Sequence, residues 1–472
     1  MIPLELNSED LVGRILTLSE TEPVSILDAC GNRGWGRGLL VAGIGELESV
    51  DSFDSNADRL LSHFEELERT SPALFFTVSY DLGRILQRTH KTGDVIFRPG
   101  TEPYYFAAAY EAVVVHEYST GRTFVDGNAE ASASLRASIL GAAPYEGAPE
   151  PDRSQTTPPE FEMSREEYVS KICEILELIR AGETYQTNLT QKIRVNSGSI
   201  DPRSLFLTLR TEHPAAFSAF IKRPLDHVIS ISPERFFRTG FEDGKQRIEA
   251  SPIKGTRPRG IDPEEDKSLR DDLSSSSKDR AENIMITDLL RNDLGRVCEF
   301  GSVKVDALCE IEELPSLFHL VSTISGDLRQ EMGISDLLQA LFPCGSITGC
   351  PKIRTMEIID ELEPSGRGLS MGSIGFSYDR NALPELDRIW NPNSAGRPAK
   401  GQRCYDLSVA IRTMVIREGV AEFNVGGGVV IDSDPEKEYQ ESLDKAAAIL
   451  KALGAEKATR DRPTSRPAEQ ST

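Results

Sequence analysis

The chain has 472 residues, 39% of them apolar, with two Trp and a formal net charge of −22. That is enough for two or three ordinary domains or one large one, and it is the composition of a globular enzyme, not a disordered chain. The acidic balance argues against a nucleic-acid face, which needs clustered Lys and Arg, but leaves room for an anionic small substrate held by a few local cations or a metal. The longest apolar runs, such as residues 107–115, are broken by Tyr110 and Glu111 and fall short of a membrane span. The first seven residues carry neither a basic nor an apolar export region. Seven Cys without a CxxC pair point to a reducing, cytoplasmic setting, and six His without an HxH or HxxxH pair point away from zinc.

In chain order, residues 1–141 form an N-terminal region with β-like runs at 104–110 and 112–118. Residues 142–162 are rich in Pro and acidic residues and read as a linker. A helix follows, with Ser164 and Glu167 as a capping box, an apolar stripe of Tyr168, Ile172, Ile175, Leu176 and Ile179, and a stop at Gly182. Alternating runs at 217–221 and 421–425 read as strands, and a second clear helix follows Pro435, with Asp434 as N-cap and Gly454 near its end. Residues 381–403 look inserted, and residues 454–472 read as a disordered polar tail. The mixture of elements supports an α+β or α/β fold.

Several residues are candidates for chemistry. Lys254, between Pro252 and Gly255-Thr256, reads as standing at a strand-to-turn junction, either solvated or presented to a ligand as an amine. Asp279 and Glu282 share one helix face, as do Glu438 and Glu441, with Lys445 a turn further on. Either pair is a solvated face or a source of Mg²⁺ ligands. Gly426-Gly427-Gly428, after a β-like run, is a flexible loop or a set of backbone N–H donors for a carboxylate. Arg412 lies in an otherwise apolar β-like run, as an ion-pair partner or an anion ligand. His319, in an apolar stretch, is a core His or a general acid-base, and Glu234 is a proton donor or the partner of Arg235. Residues 345–352 lack the Gly-Lys-Ser/Thr spacing of a P-loop, and no Gly-x-Ser-x-Gly or Gly-x-Cys-x-Gly elbow is present.

From about residue 161 to 453 these strings together resemble the chorismate-binding enzymes, a family that includes anthranilate, aminodeoxychorismate, isochorismate and salicylate synthases. The matching motifs are Gly182-Glu183-Thr184-Tyr185-Gln186-Thr187-Asn188-Leu189, Ser232-Pro233-Glu234-Arg235-Phe236 and Asp288-Leu289-Leu290-Arg291-Asn292-Asp293. They continue with His319-Leu320-Val321-Ser322, Gly345-Ser346-Ile347-Thr348-Gly349 and residues 357–362. Tyr80-Asp81-Leu82-Gly83-Arg84 extends the likeness weakly into the N-terminal region. The resemblance implies an α+β fold of layered antiparallel sheets with helices packed outside and a catalytic domain over residues 163–453.

It also implies roles. The residue between Pro-Ile and Gly-Thr is typically Ala in anthranilate synthases and Lys in aminodeoxychorismate synthases; here it is Lys254. Gln186 aligns with a Lys that activates water in isochorismate and salicylate synthases, and a Gln cannot deprotonate water. The implied set is therefore Lys254 as covalent catalyst, Glu234 and His319 as proton donor and assistant, and Glu282 and Glu441 as Mg²⁺ ligands. Gln186, Gly255, Thr256, Thr348, Arg412, Gly426, Gly427, Gly428 and Lys445 would bind substrate. The expected reaction is amination of chorismate at C4, with ammonia from a glutamine amidotransferase subunit. Amination at C2, or a non-catalytic chorismate-binding paralogue, are the alternatives. Ser370 and Cys350 depart from the family pattern, where an aromatic and an Ala are usual.

Overall fold

The computed structural model describes residues 1–54, 56–87, 102–147, 156–196, 198, 200–314, 317–330, 332–394 and 396–455. Most of the polar tail expected at 454–472 lies outside them. Two large antiparallel sheets dominate. The first, 12-stranded, contains Val24–Asp28, Phe217–Lys222, His227–Ser232, Thr413–Arg417, Val420–Val429 and Gln186–Asn196 as successive neighbours. The second, 10-stranded, runs from Ile253–Pro258 at one edge through Leu317–Asp327, Lys245–Ala250, Arg235–Glu242, Arg403–Val409 and Ser373–Asp379 to Ala73–Val78 and beyond.

The central strands are buried on both faces, so they read as near-continuous apolar runs, and the period of two appears only in which core each side chain joins. In Ala73–Val78, Ala73 and Phe75 enter the core between the sheets, while Leu74, Phe76 and Val78 enter the core under the helices Ala57–Thr70, Ser277–Gly295 and Ile334–Leu341. In Leu39–Ile44, Leu39 and Val41 face the inter-sheet core, and Leu40 and Ala42 face the helices Ser8–Leu18, Pro202–Glu212 and Pro435–Ala452. The result is four layers, helix, sheet, sheet, helix: the α+β arrangement expected from the resemblance.

The division at 142–162 is one of sequence only, because hydrogen bonding crosses it in both sheets. Val24–Asp28 pairs with Phe217–Lys222 in one, and Ala73–Val78 pairs with Ser373–Asp379 in the other. The two clear helices are where their caps place them. Arg165–Arg180 has the reciprocal Ser164–Glu167 box, with Gly182 at φ 80, and Pro435–Ala452 is capped by Asp434.

Two local expectations are corrected and one is sharpened. The inserted-looking stretch at 381–403 is packed where it is described: Pro384–Trp390 is helical, Trp390 is buried, and Arg380 pairs with Asp387 at 2.8 Å. Gly426–Gly428 lie inside the strand Val420–Val429, not in a loop. A Cβ on Gly426 would come within 1.9 Å of the Leu189 carbonyl oxygen, so close approach of Gln186–Asn196 requires glycine there. Arg412 lies between Arg403–Val409 and Thr413–Arg417, in left-handed backbone at φ 48, not within a strand.

Candidate active site

The chain passes between the two sheets at two adjacent connections, and each carries a candidate residue. Pro233 and Glu234 link His227–Ser232 in the first sheet to Arg235–Glu242 in the second. Residues 410–412 link Arg403–Val409 in the second back to Thr413–Arg417 in the first. The crossings are tied together: Val409 N–H donates to the Glu234 carbonyl (3.0 Å), the Ser232 hydroxyl to the Val409 carbonyl (2.6 Å), and Ile231 N–H to the Arg412 carbonyl (3.1 Å). Ordinary strand pairing thus fixes Glu234 and Arg412 at one seam.

Glu234 is 6% exposed, and its Oε1 has no hydrogen-bond partner among the described residues. Burial pushes its carboxyl up to about 7, with the Ser346 hydroxyl, the Lys254 ammonium and the Ile253 amide pulling the other way. A carboxyl that titrates there can carry a proton at neutral pH and release it to a leaving group. His319 lies in Leu317–Asp327 with its Nδ1 buried and unpartnered. Burial, with the Arg412 charge adding to it, lowers its ring to about 4, so it is a neutral imidazole at pH 7.

Lys254 is in register with Leu320, next to His319, in Ile253–Pro258. It therefore sits inside a strand and not at a strand-to-turn junction. The pairing slips between Lys254 and Thr256, where Gly255 takes φ 75. A Cβ at Gly255 would fall 2.8 Å from Leu273 and 2.9 Å from Asp279, so the bulge needs glycine on both counts. The half-buried Lys254 forms no ion pair among the described residues, yet its charge is felt at Glu234, Glu282 and Glu441. Thr256, opposite His319, is exposed.

Glu282 is on Ser277–Gly295, and Glu438 and Glu441 are on Pro435–Ala452. The Lys278 ammonium lies 4.0 Å from Glu282 Oε1 and 3.8 Å from Glu438 Oε1, so these two carboxylates converge on one positive centre. Glu441 is more open, 56% exposed, and pairs with Lys445 at 2.8 Å. Lys445 also donates to the Gly426 carbonyl at 3.0 Å. Val420–Val429 is paired with Thr413–Arg417 only as far as Glu422, so near Gly426–Gly428 its outer edge has no strand beside it among the described residues. Alternate N–H groups of an antiparallel strand point to such an edge, where they can meet an anion.

Gln186 is fully buried beside Gly428, and neither end of its amide has a partner among the described residues. Thr348 is also buried, but its hydroxyl donates to the Cys344 carbonyl (3.0 Å) and so serves its own turn. His319, Arg412 and Lys445 line one cavity of about 970 Å³, together with Pro233 and Ile253, the neighbours of Glu234 and Lys254. Ser370, one of the departures, accepts from Asn424 N–H at 3.0 Å.

A family model described as chorismate binding enzyme matches residues 23–383 and 399–451. The chain belongs to this family. Aminodeoxychorismate synthase component 1 of Escherichia coli strain K12 is 42% identical over 307 residues, 65% of this chain and 62% of that protein. The match thus spans less than two thirds of that relative. Anthranilate synthase component 1 3 of Haloarcula marismortui is 34% identical over 455 residues, 90% of this chain and 84% of its own length. The crystal structure of anthranilate synthase component I from Streptococcus pneumoniae TIGR4 superposes with a TM-score of 0.68 at 25% identity, covering 88% of this chain and 92% of that one.

In this chorismate-binding enzyme two residues near the site went unselected in the sequence, Lys278 and Ser346, and Glu438 was paired there with Glu441 but given no role of its own. Glu438 had a signal. It shares its helix stripe with Ser442, Ala446 and Ile449, all buried, which puts it inside the protein, whereas Glu441 is off that stripe. The carboxylates fit a hard cation such as Mg²⁺, because Glu282 and Glu438 already flank an ammonium group. No three or more His, Cys, Asp or Glu side chains among the described residues form a ready metal cage. A cation here would draw its remaining ligands from water or substrate. No helix among the described residues is long and apolar enough to cross a membrane.

Proposed function

We propose that this chain aminates chorismate at C4 to 4-amino-4-deoxychorismate, with ammonia supplied by a glutamine amidotransferase subunit. The observation that carries the reading is Lys254. It is an ammonium-bearing side chain on the strand beside His319, with its charge acting on both the buried acid Glu234 and the carboxylate Glu282. An amine so placed serves as a nucleophile when it loses its proton, and Glu234 is poised to give one.

The Lys254 amine forms a bond to C2 of chorismate while the C4 hydroxyl leaves. Glu234 supplies the proton that makes the departing group water, and the amine gives up one proton of its own. Ammonia then bonds to C4, the C2–nitrogen bond to Lys254 breaks with its electron pair returning to the lysine, and a proton lost from the new C4 ammonium restores the Lys254 amine. With C2 occupied, the incoming nitrogen is confined to C4. His319, neutral at pH 7, assists as a hydrogen-bond partner. Arg412, which has no ion-pair partner among the described residues, holds the enolpyruvyl carboxylate. Glu282, Glu438 and Glu441 would hold Mg²⁺ with water or substrate completing its ligands, and its charge would offset that of the ring carboxylate. Gln186 occupies a position from which a basic residue would activate water, and it offers only a neutral amide.

The second reading is amination at C2, favoured by the anthranilate synthase component that matches 90% of the chain. Incubation with chorismate, Mg²⁺ and an ammonium salt separates the two. The expected product is one that an added lyase converts to 4-aminobenzoate, and Lys254→Ala lowers its rate at least about a hundredfold, as loss of a positioned nucleophile does. Fluorescent anthranilate as the main product overturns the assignment.

A further inference from the structure

The cavity that holds His319 and Arg412 extends well past them, and its outer wall comes from the N-terminal region. Residues 30–38 form a loop with five positive-φ positions, Cys30, Gly31, Gly36, Arg37 and Gly38, two of them not glycine. Such backbone persists only when its surroundings impose it. Here the surroundings are explicit. The buried Trp35 ring donates to the Ser218 carbonyl at 3.0 Å, and Gly36 N–H donates to Asp406 at 2.9 Å. Arg235, the neighbour of Glu234, donates to the Gly34 carbonyl at 2.6 Å while paired with Asp406 at 3.0 Å. A Cβ on Gly34 would sit 1.4 Å from the Ala216 carbonyl oxygen, so the loop cannot lie there with any other residue at that position. The loop is a fixed part of the catalytic seam.

What this loop brings to the cavity is positive charge. Arg33 and Arg37 both line it. Arg37 is neutralised by Glu249 at 3.3 Å, whereas Arg33 has no ion pair among the described residues and neither has Arg412. Among the described residues the cavity lining therefore holds two guanidinium groups without an ion pair, one at the catalytic seam and one on the outer wall, beside the carboxylates Glu312 and Asp444, which also lack one, in a chain of net charge −22. A doubly anionic substrate is repelled by such a chain as a whole, so its capture depends on a local positive path.

We propose that the loop at residues 30–38 is the entrance of the substrate cleft and that Arg33 is the positioning residue that draws the dicarboxylate in toward Arg412. This rests on the proposed function for its substrate. Arg33 is exposed and makes no contact that the fold needs, so Arg33→Gln is expected to fold as the parent does. Its KM for chorismate and its calorimetric Kd should rise roughly threefold to tenfold with kcat kept, and the decline of kcat/KM with added potassium chloride should become shallower. Arg136→Gln, which removes an equal charge outside the cavity lining, should change neither constant. Chorismate binding by the parent with an equal Kd and an equal salt dependence in Arg33→Gln overturns the entrance alone. An equal loss in Arg136→Gln also overturns it, since net charge would then be the cause. Failure of the parent itself to bind chorismate overturns the functional reading and the entrance together.

Discussion

Glu234 and Arg235 are neighbours in the chain and both are buried, but they are treated in opposite ways. Arg235 is fully engaged, by Asp406 at 3.0 Å and the Gly34 carbonyl at 2.6 Å, and it joins a loop to two strands. Glu234 keeps an oxygen without a partner, as do His319 at Nδ1 and Gln186 at both ends of its amide. Other buried charges follow Arg235. Arg210 with Asp28, Arg367 with Glu363 and Lys352 with Asp293 are buried and paired, at 2.7, 2.7 and 2.6 Å. These buried ion pairs are satisfied within the fold, because an orphan costs free energy. Unpartnered buried atoms also occur elsewhere among the described residues, at Tyr105 Oη and Ser132 Oγ for example, but at the seam they fall on an acid and an imidazole that line or adjoin one cavity, where a ligand can satisfy them.

The sharpest way to break this contrast is to change one group from each class. Glu234→Gln keeps the shape and removes the titratable proton. Turnover should fall roughly 10²- to 10⁴-fold, as loss of a positioned general acid does. Stability should move the other way. The folded carboxyl titrates at about 7 against an ordinary 4.5, so between those values the native state holds a proton that the unfolded chain has released. The parent is therefore most stable with respect to this group below pH 4.5 and loses, on the order of, 3 kcal/mol as pH rises through 7. Urea denaturation of the variant should lack that slope and show greater stability than the parent at pH 8. A variant that is slow and also less stable at pH 8 would mean that Glu234 belongs to the structural class.

Lys352→Met tests the paired class. It leaves Asp293 buried and alone, and the expected loss is about 3–5 kcal/mol in urea denaturation. Turnover per folded molecule should be kept, since among the described residues the Lys352 ammonium bonds only to Asp293 and the Leu341 carbonyl. Loss of turnover without loss of stability would erase the distinction between the two classes.

How much of this was legible in the sequence follows from range. The helices at 165–180 and 435–452 announce themselves, because their caps and stripes are local. Strand burial on both faces hides the period of two, so sheet membership was not readable, nor was the pairing of 24–28 with 217–222 across the apparent linker. The glycines at 426–428 looked like a loop because their reason, the approach of Leu189, is about 240 residues away in sequence, as far as the pairing of Leu189 with Gly427 places them. Trp390 and Asp387 could have warned that residues 381–403 are packed, as a Trp and an acid at helical spacing from Leu383 seldom stand in a loose insertion. Lys254, Glu234 and His319 were legible as a set only through the family's motifs. Their meeting at the seam depends on two crossings between sheets that no local pattern encodes.

The central claim is that Lys254 becomes covalently attached to the substrate. Its most direct test is mass spectrometry of the Lys254 peptide after the enzyme is quenched during incubation with chorismate and Mg²⁺ in the absence of ammonia. The account predicts a mass increase equal to chorismate less one water, located on Lys254 and discharged when ammonium is added before the quench. An unmodified Lys254 in an enzyme that goes on to form aminodeoxychorismate at its full rate would contradict it.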